Sequence, residues 1–334
     1  MKKTRFGVSL VATIALLSAC GNDSGNGDGD EISVITFADA GWESLRIHNA
    51  IAQFIVEEGY GYDTETTMGS TPITVQGLRD GDINVYMEIW TDNIRELYDE
   101  SIDSGEIIEV SMNFDDNEQG FYVPTYVIEG DPDRDIEPMA PDLQRVEDLV
   151  NYPDVFPDPE DSSMGRILNA PSDWAVYEDI AMKFDSYGLE ETFNLFAPGS
   201  DAGMVTDLVR AYEDGEGWVG YYWEPTGITA QYDLTLLEED DYDEEQWEED
   251  RTTAFPPNDV TVAVNQHLPD QAPEVVEFLE NYETSSELTE AALAYMEEDG
   301  LSEQEAAMRW MEEYQDIWTS WLPDDIAQDV LDAL

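Results

Sequence analysis

The chain is short of the residues on which much enzymatic and extracellular chemistry depends. Cys20 is its only cysteine, so no disulfide can form within one molecule. Its two histidines, His48 and His267, are more than 200 positions apart. Neither belongs to a HExxH pair, a nucleophile elbow or a Cys-His arrangement, and no glycine-rich phosphate loop is present. Metal and triad catalysis lack their parts, and no cofactor is expected. Basic residues are scarcer still, at 13 lysines and arginines against 78 acids, for a formal charge of -65. Such a surface repels phosphate backbones and anionic lipid headgroups, which excludes ordinary nucleic-acid binding.

Lysine is nearly absent after the first few positions. Without Lys2, Lys3 and Arg5 the chain keeps 10 basic residues, and Lys183 is the one lysine among them. A field of this sign destabilises a compact protein at low ionic strength. In roughly 1 M salt the screening length falls to about 3 Å and the repulsion largely vanishes, so a salt-rich environment is the natural reading. Hydrophobic residues make up 42% of the 334 positions and aromatic residues 11%, enough for two packed lobes and too much for a disordered acidic tail.

The first twenty residues read as an address. Lys2, Lys3 and Arg5 precede an apolar run over residues 6–17 that is too short to span a bilayer, as in a secretory signal. Leu17-Ser18-Ala19-Cys20 resembles a bacterial lipobox, which implies a signal peptide over residues 1–20 and an acylated Cys20 as lipid anchor. Stable anchoring takes more than one acyl chain, at about 0.8 kcal/mol per buried CH₂. Residues 21–30, rich in Gly, Asn and Asp, read as a flexible linker. Their acids do not follow the EF-hand spacing.

Beyond the linker, apolar runs alternate with helical patterns. Residues 32–37 form an expected strand, and Ala38-Asp39-Ala40-Gly41 turns into a helix over residues 42–58. A second strand at 64–68 leads to Gly69-Ser70-Thr71-Pro72, where a hydroxyl cap before proline announces another helix. Residues 81–90 read as a strand delivering Trp90 to its carboxyl end. Residues 122–128 are strand-like and suit a crossing into a second lobe, 166–169 and 218–223 are further strands, 174–187 is helical, and 260–264 suits the return crossing. The acidic run at 240–250 reads as a solvated face. The C-terminal stretch is helical, with Trp310, Trp318 and Trp321 as packing residues. The expected fold is α/β, with mostly parallel sheets flanked by helices.

The placing of tryptophan is the informative feature. Trp42, Trp90 and Trp223 stand at strand carboxyl ends or in the first turn after them, and Trp174 opens a helix after a short strand. In open α/β sheets that edge lines the ligand crevice. A box of indole faces suits a quaternary ammonium group, which has no N–H and is attracted by the negative ring faces at about 0.5 to 2 kcal/mol each. Helix N-termini at Gly41-Trp42 and Ser70-Thr71 offer N–H groups to a carboxylate. A zwitterion fits both halves.

The segments Ala40-Gly41-Trp42-Glu43-Ser44, Gly69-Ser70-Thr71-Pro72, Glu88-Ile89-Trp90, Val123-Pro124-Thr125-Tyr126 and Tyr221-Tyr222-Trp223-Glu224-Pro225 together resemble the substrate-binding proteins of glycine betaine and related osmolyte ABC transporters. The resemblance implies a two-lobed, type II periplasmic-binding-protein-like fold, with residues 31–120 and 260–334 as lobe 1 and 121–259 as lobe 2. It implies a non-catalytic, monomeric receptor on the extracytoplasmic face of the membrane that delivers a zwitterion such as glycine betaine to an ABC transporter permease. Trp42, Trp90, Trp174, Trp223 and Tyr126 would form the ammonium cage, and Gly41, Ser70 and Thr71 would hold the carboxylate. Ser44 stands where choline binders tend to carry an acid, which favours betaine over choline; a choline or carnitine receptor is the alternative within the same class. Thr226 stands where several relatives have histidine, and Asp173 where glycine commonly precedes the Trp174 equivalent. Glu88, on the same strand face as Trp90, is expected to make a structural hydrogen bond. A carbohydrate-active extracellular enzyme with sugar-stacking tryptophans is the alternative from a different class.

Overall fold

The computed structural model describes residues 32–334. The expected signal peptide, the Cys20 anchor and the 21–30 linker lie outside the described residues.

Among the described residues, ten strands form two five-stranded sheets. The first runs in the order β2-β1-β3-β10-β4, built from β1 (Val34–Asp39), β2 (Asp63–Met68), β3 (Val85–Trp90), β4 (Ile107–Phe114) and β10 (Val260–Asn265). The second runs β7-β6-β8-β5-β9, from β5 (Glu118–Pro124), β6 (Gly165–Leu168), β7 (Phe193–Phe196), β8 (Gly220–Glu224) and β9 (Leu234–Leu236). Strands β3 and β10 are buried along their whole length, as central strands covered on both faces must be. The polar strand β2, with Asp63, Thr64, Glu65, Thr66 and Thr67, takes an edge and stays largely exposed.

Each sheet is parallel where β-α units build it: β1 pairs in parallel with β2 and β3, and β6 with β7 and β8. The pairings of β10 with β3 and β4, and of β5 with β8 and β9, are antiparallel. The sheets are thus less parallel than the alternating pattern suggested, because β5 and β10 are the strands on which the chain crosses between sheets. It leaves the first sheet after Phe114, enters the second at Glu118 and rejoins the first at Val260.

Local signals account for most boundaries. The helix Glu43–Ile55 carries an acid in its first turn and buries Leu45, Ile47, Ile51 and Ile55 at helical spacing. The helix Thr71–Asp80 has Pro72 in its first turn and stops at Gly81, whose φ of 82° lies in the left-handed region. Its N-cap is Ser70, yet the Ser70 hydroxyl makes no capping bond. The strand expected over 122–128 ends at Pro124 and gives way to the short helix Thr125–Glu129. The helix expected from Trp174 begins at Tyr177, after a turn that leaves Trp174 in a loop.

Several polar residues inside the fold find partners there. His48 is enclosed in the first lobe, 2.8 Å through Nδ1 from the Tyr282 hydroxyl, and burial pushes its pKa down to about 3, so it is a neutral packing residue. Trp310 and Trp318 donate their indole N–H groups to the Leu288 and Met311 carbonyls, and Trp321 packs against Tyr282. Lys183 explains its own survival in a chain without lysine elsewhere beyond position 3. Its ammonium is fully buried, 2.6 Å from Glu239 Oε1, with the Trp247 and Phe255 rings 5.3 and 4.9 Å away. A surface lysine can be replaced by an acid at little cost, whereas removing one partner of a buried pair strands the other charge.

Candidate ligand cleft

The site forms where the carboxyl ends of the parallel strands in each sheet face one another. Strand β1 ends at Asp39, and Gly41, at φ 108°, turns the chain so that Trp42 precedes the first helical turn. Strand β3 ends on Trp90 itself. From the second sheet, β8 supplies Tyr221 and Trp223 on one strand face, and the loop after β6 supplies Trp174.

Trp42, Trp90, Trp174 and Trp223 line one cavity, joined by Tyr86, Tyr221 and Thr71, with an empty volume of about 470 Å³ including its open mouth. Trp174 stands edge-on between the lobes, its ring centroid 5.7 Å from Trp42 at 78° and 5.1 Å from Trp223 at 76°. Tyr221 stacks on Trp223 at 6.0 Å and 20°. The described wall contains no Asp or Glu, so the carboxylate pair that glycoside hydrolysis requires does not line it.

One acid lies directly behind the wall. Glu88 is wholly buried, and its Oε1 accepts three hydrogen bonds, from Trp42 Nε1 at 2.8 Å, Trp90 Nε1 at 2.9 Å and Ser44 Oγ at 2.9 Å. Among the described residues its Oε2 has no partner. Burial pushes the pKa up to about 7, against the three donors that favour the ionised form. Glu88 therefore holds both lobe-1 indoles in orientation, the structural role its spacing suggested. It also supplies a carboxyl near the cage, from β3 instead of the position held by Ser44.

The other expected residues divide. Thr71, at the start of the helix Thr71–Asp80, lines the cavity, whereas Ser70 is not part of that wall. The Gly41 N–H already donates to Asp39 Oδ1 at 2.9 Å, which takes it out of competition for a ligand carboxylate. Thr226 caps the helix Gly227–Gln231 through its hydroxyl. Tyr126 is elsewhere altogether. It sits in the second lobe, where its hydroxyl donates to the Glu216 carbonyl at 2.6 Å and its ring packs on Tyr212 at 5.1 Å under the Arg134 guanidinium. A buried phenol needs a hydrogen-bond partner, and this one finds it in the core of its own lobe.

Tyr86, Tyr221, Asn93 and Val176 are cavity residues that sequence reasoning overlooked. The first two were within reach: Tyr86 alternates with Glu88 and Trp90, and Tyr221 with Trp223, at the period-2 spacing that shares a strand face.

Two α/β sheets joined by a pair of crossings, with an aromatic cavity between their facing edges, define a two-lobed solute-binding protein. Residues 33–313 match the family described as the substrate-binding domain of ABC-type glycine betaine transport systems, and the chain belongs to that family. The trimethylamine N-oxide-binding protein of Pelagibacter ubique is 21% identical over 265 residues, 78% of this chain and 82% of its own length. Among solved structures, an ABC-transporter choline-binding protein in complex with choline superposes with a TM-score of 0.73 at 19% identity, covering 92% of this chain and 99% of that one. Lactococcal OpuAC, in its closed form with glycine betaine, gives 0.69 at 18% identity over 87% of this chain and 100% of its own. At those identities the structural likeness establishes the fold.

Proposed function

We propose that the chain is the extracytoplasmic receptor of an ABC transporter for glycine betaine or a close methylated-ammonium zwitterion. The observation that carries this reading is the meeting of four indoles from two lobes on one cavity whose described wall lacks carboxylates. A permethylated nitrogen presents no N–H, so it gives up no hydrogen bonds on leaving water for ring faces, and the ring quadrupoles offset part of its lost ionic hydration. Three or four such contacts at about 0.5 to 2 kcal/mol each supply about 1.5 to 8 kcal/mol toward the roughly 8 kcal/mol that micromolar affinity needs. The ligand carboxylate would lie toward Thr71 at the positive end of the helix Thr71–Asp80. Trp42 and Trp90 would receive the ammonium from one lobe, with Trp174 and Trp223 closing on it from the other, before delivery to the permease.

The ligands named for these relatives, betaine, choline and trimethylamine N-oxide, share the trimethylated nitrogen and differ in the group opposite it. Betaine is preferred over choline because the described wall carries no carboxylate and position 44 holds Ser44, so no acid in the wall balances a bare cation. Cys20 as lipid anchor and a monomeric state complete the proposal. Titration calorimetry in high salt with glycine betaine, choline, carnitine, proline and trimethylamine N-oxide tests it. Binding of betaine ahead of choline is the expected result. Absence of binding to every methylated amine would remove the cage function.

A further inference from the structure

The two crossings between the lobes meet behind the cage in a closed set of side-chain amides. Asn93 belongs to the 3-10 turn Thr91–Ile94 that follows Trp90 directly. Its Oδ1 accepts two hydrogen bonds, from Gln119 Nε2 at 3.0 Å and from Asn258 Nδ2 at 2.9 Å. Gln119 lies on β5, the outgoing strand, and Asn258 stands two residues before β10, the returning one. Asn258 Oδ1 in turn accepts the Asp92 N–H at 3.1 Å, and the Asn258 carbonyl accepts Asn117 Nδ2 at 2.7 Å.

The set continues into the second half of the cage. Gln119 Oε1 accepts the Tyr221 O–H at 2.9 Å, Gln119 stands opposite Trp223 in the β5–β8 register, and the Tyr221 ring stacks on Trp223. Gln119 and Asn258 are only 6% and 2% exposed, so water cannot readily replace these partners. The turn after Trp90 is thereby connected to the strand carrying Trp223 through both crossings, with the Gln119–Asn93 bond as a side-chain link from one lobe to the other.

We infer that Gln119, Asn93 and Tyr221 form a positioning relay that registers the two halves of the cage when the lobes close, and so sets the closing equilibrium. The inference rests on the reading of the cavity as a ligand site that closes. Its consequence is separable from ligand contact. When binding requires a closed state, the apparent Kd is the intrinsic one divided by the closed fraction. A change in the relay therefore scales the affinity of every ligand by one common factor, whereas a change in the cage wall alters each ligand by its own.

The test uses the full chain in high salt with Gln119→Leu, which removes the link between lobes at similar volume, and Tyr221→Phe, which removes the O–H and keeps the stacked ring. Affinities for glycine betaine, choline and trimethylamine N-oxide are measured by calorimetry, and dissociation rates by stopped-flow tryptophan fluorescence. The expected result for Gln119→Leu is a loss of about tenfold, the worth of roughly one buried hydrogen bond, equal among ligands within about twofold and carried by faster dissociation. Tyr221→Phe follows in the same sense with a smaller factor, and with a lowered ligand-free melting temperature from the missing buried hydrogen bond. Unequal factors among ligands in Gln119→Leu, a position outside the described cavity wall, or unchanged affinity in both variants, would overturn the relay. A label pair across the lobes gives a second readout in ligand-free protein. Gln119→Leu shifts its distance distribution toward longer separations if the relay holds, and leaves it unmoved if it does not, even should the parent protein bind none of the three ligands and the proposed function itself fail.

Discussion

Ser44 donates its hydroxyl to Glu88 Oε1 at 2.9 Å, so the residue that replaces an expected acid near the cage serves the acid that lies beneath it. The same oxygen receives the indole N–H groups of Trp42 and Trp90. Removing the carboxyl frees two rings at once. Glu88→Leu is expected to weaken betaine binding by about 30-fold or more, since two buried donors lose their acceptor. Glu88→Gln keeps an accepting oxygen without the charge that strengthens each bond, and a loss of about threefold to tenfold is expected. Ser44→Ala removes one donor of three and costs about fivefold at most. Calorimetry in high salt ranks the variants, and equal affinity in Glu88→Leu and the parent would remove Glu88 from the site.

Trp174 touches an indole from each lobe, Trp42 across the cleft and Trp223 within its own lobe. Its replacement by alanine removes both a ring face for the ligand and an aromatic contact that favours the closed arrangement. At about 0.5 to 2 kcal/mol for the face and about 0.5 to 1.5 kcal/mol for a ring pair, Trp174→Ala should lower betaine affinity by roughly 10-fold to 100-fold. Because Trp174 lies in a loop and is only partly buried, the ligand-free melting temperature should move by about 2 °C or less. A large drop in melting temperature with unchanged affinity would make it a core residue instead.

Tyr126 gives the opposite pattern. With its hydroxyl bonded to the Glu216 and Ala211 carbonyls inside the second lobe, Tyr126→Phe should cost about 1 to 2 kcal/mol of stability and leave Kd within about twofold of the parent. Chemical denaturation and calorimetry on the same preparation separate the two effects. A selective loss of affinity would return Tyr126 to the ligand site.

The contrast between Tyr126 and Trp90 shows what the sequence could convey. Trp90 closes an apolar strand whose end has a definite topological address, so its place at the cleft followed from the β-α pattern alone. Tyr126 follows Pro124, where the strand gives way to a short helix that turns the ring toward Tyr212. No local periodicity specifies that turn. Trp42, Trp174 and Trp223 were legible for the same reason as Trp90, while Asn93, Gln119 and Asn258 were not. Their amides come from three distant segments and acquire meaning only when both crossings are in place. Gly41 and Ser70 mark a further limit. Their positions at turns were readable, but a hydrogen bond already made, as from Gly41 N–H to Asp39, is a fact of packing.

Two buried groups should impose opposite pH dependences on stability. His48 has its pKa pushed down from 6.5 to about 3 by burial, so between those values the unfolded chain binds the proton that the folded chain refuses. Stability therefore falls as the solution is acidified through that window, by up to about 5 kcal/mol if the full shift is expressed. Glu88 has its pKa pushed up from 4.5 to about 7, again by burial, so there the folded chain holds the proton that the unfolded chain releases. Its contribution is present below the unfolded value and is lost as pH rises toward 7, on the order of 3 kcal/mol. Asp201 acts in the same direction as Glu88, raised to about 7 by burial and then by the charge of Glu43, with Arg46 opposing. Surface carboxylates contribute a background common to parent and variants, and high salt reduces it. The difference in stability between the parent and Glu88→Gln, followed by denaturant midpoints from pH 4 to 8, should thus shrink steadily as pH rises from about 4.5 to 7 and then level off. The difference between the parent and His48→Gln should instead grow with pH up to about 6.5. Parallel curves for parent and both variants would mean that neither group changes its proton occupancy on folding, and the buried, titrating carboxyl beneath the cage would have to be abandoned.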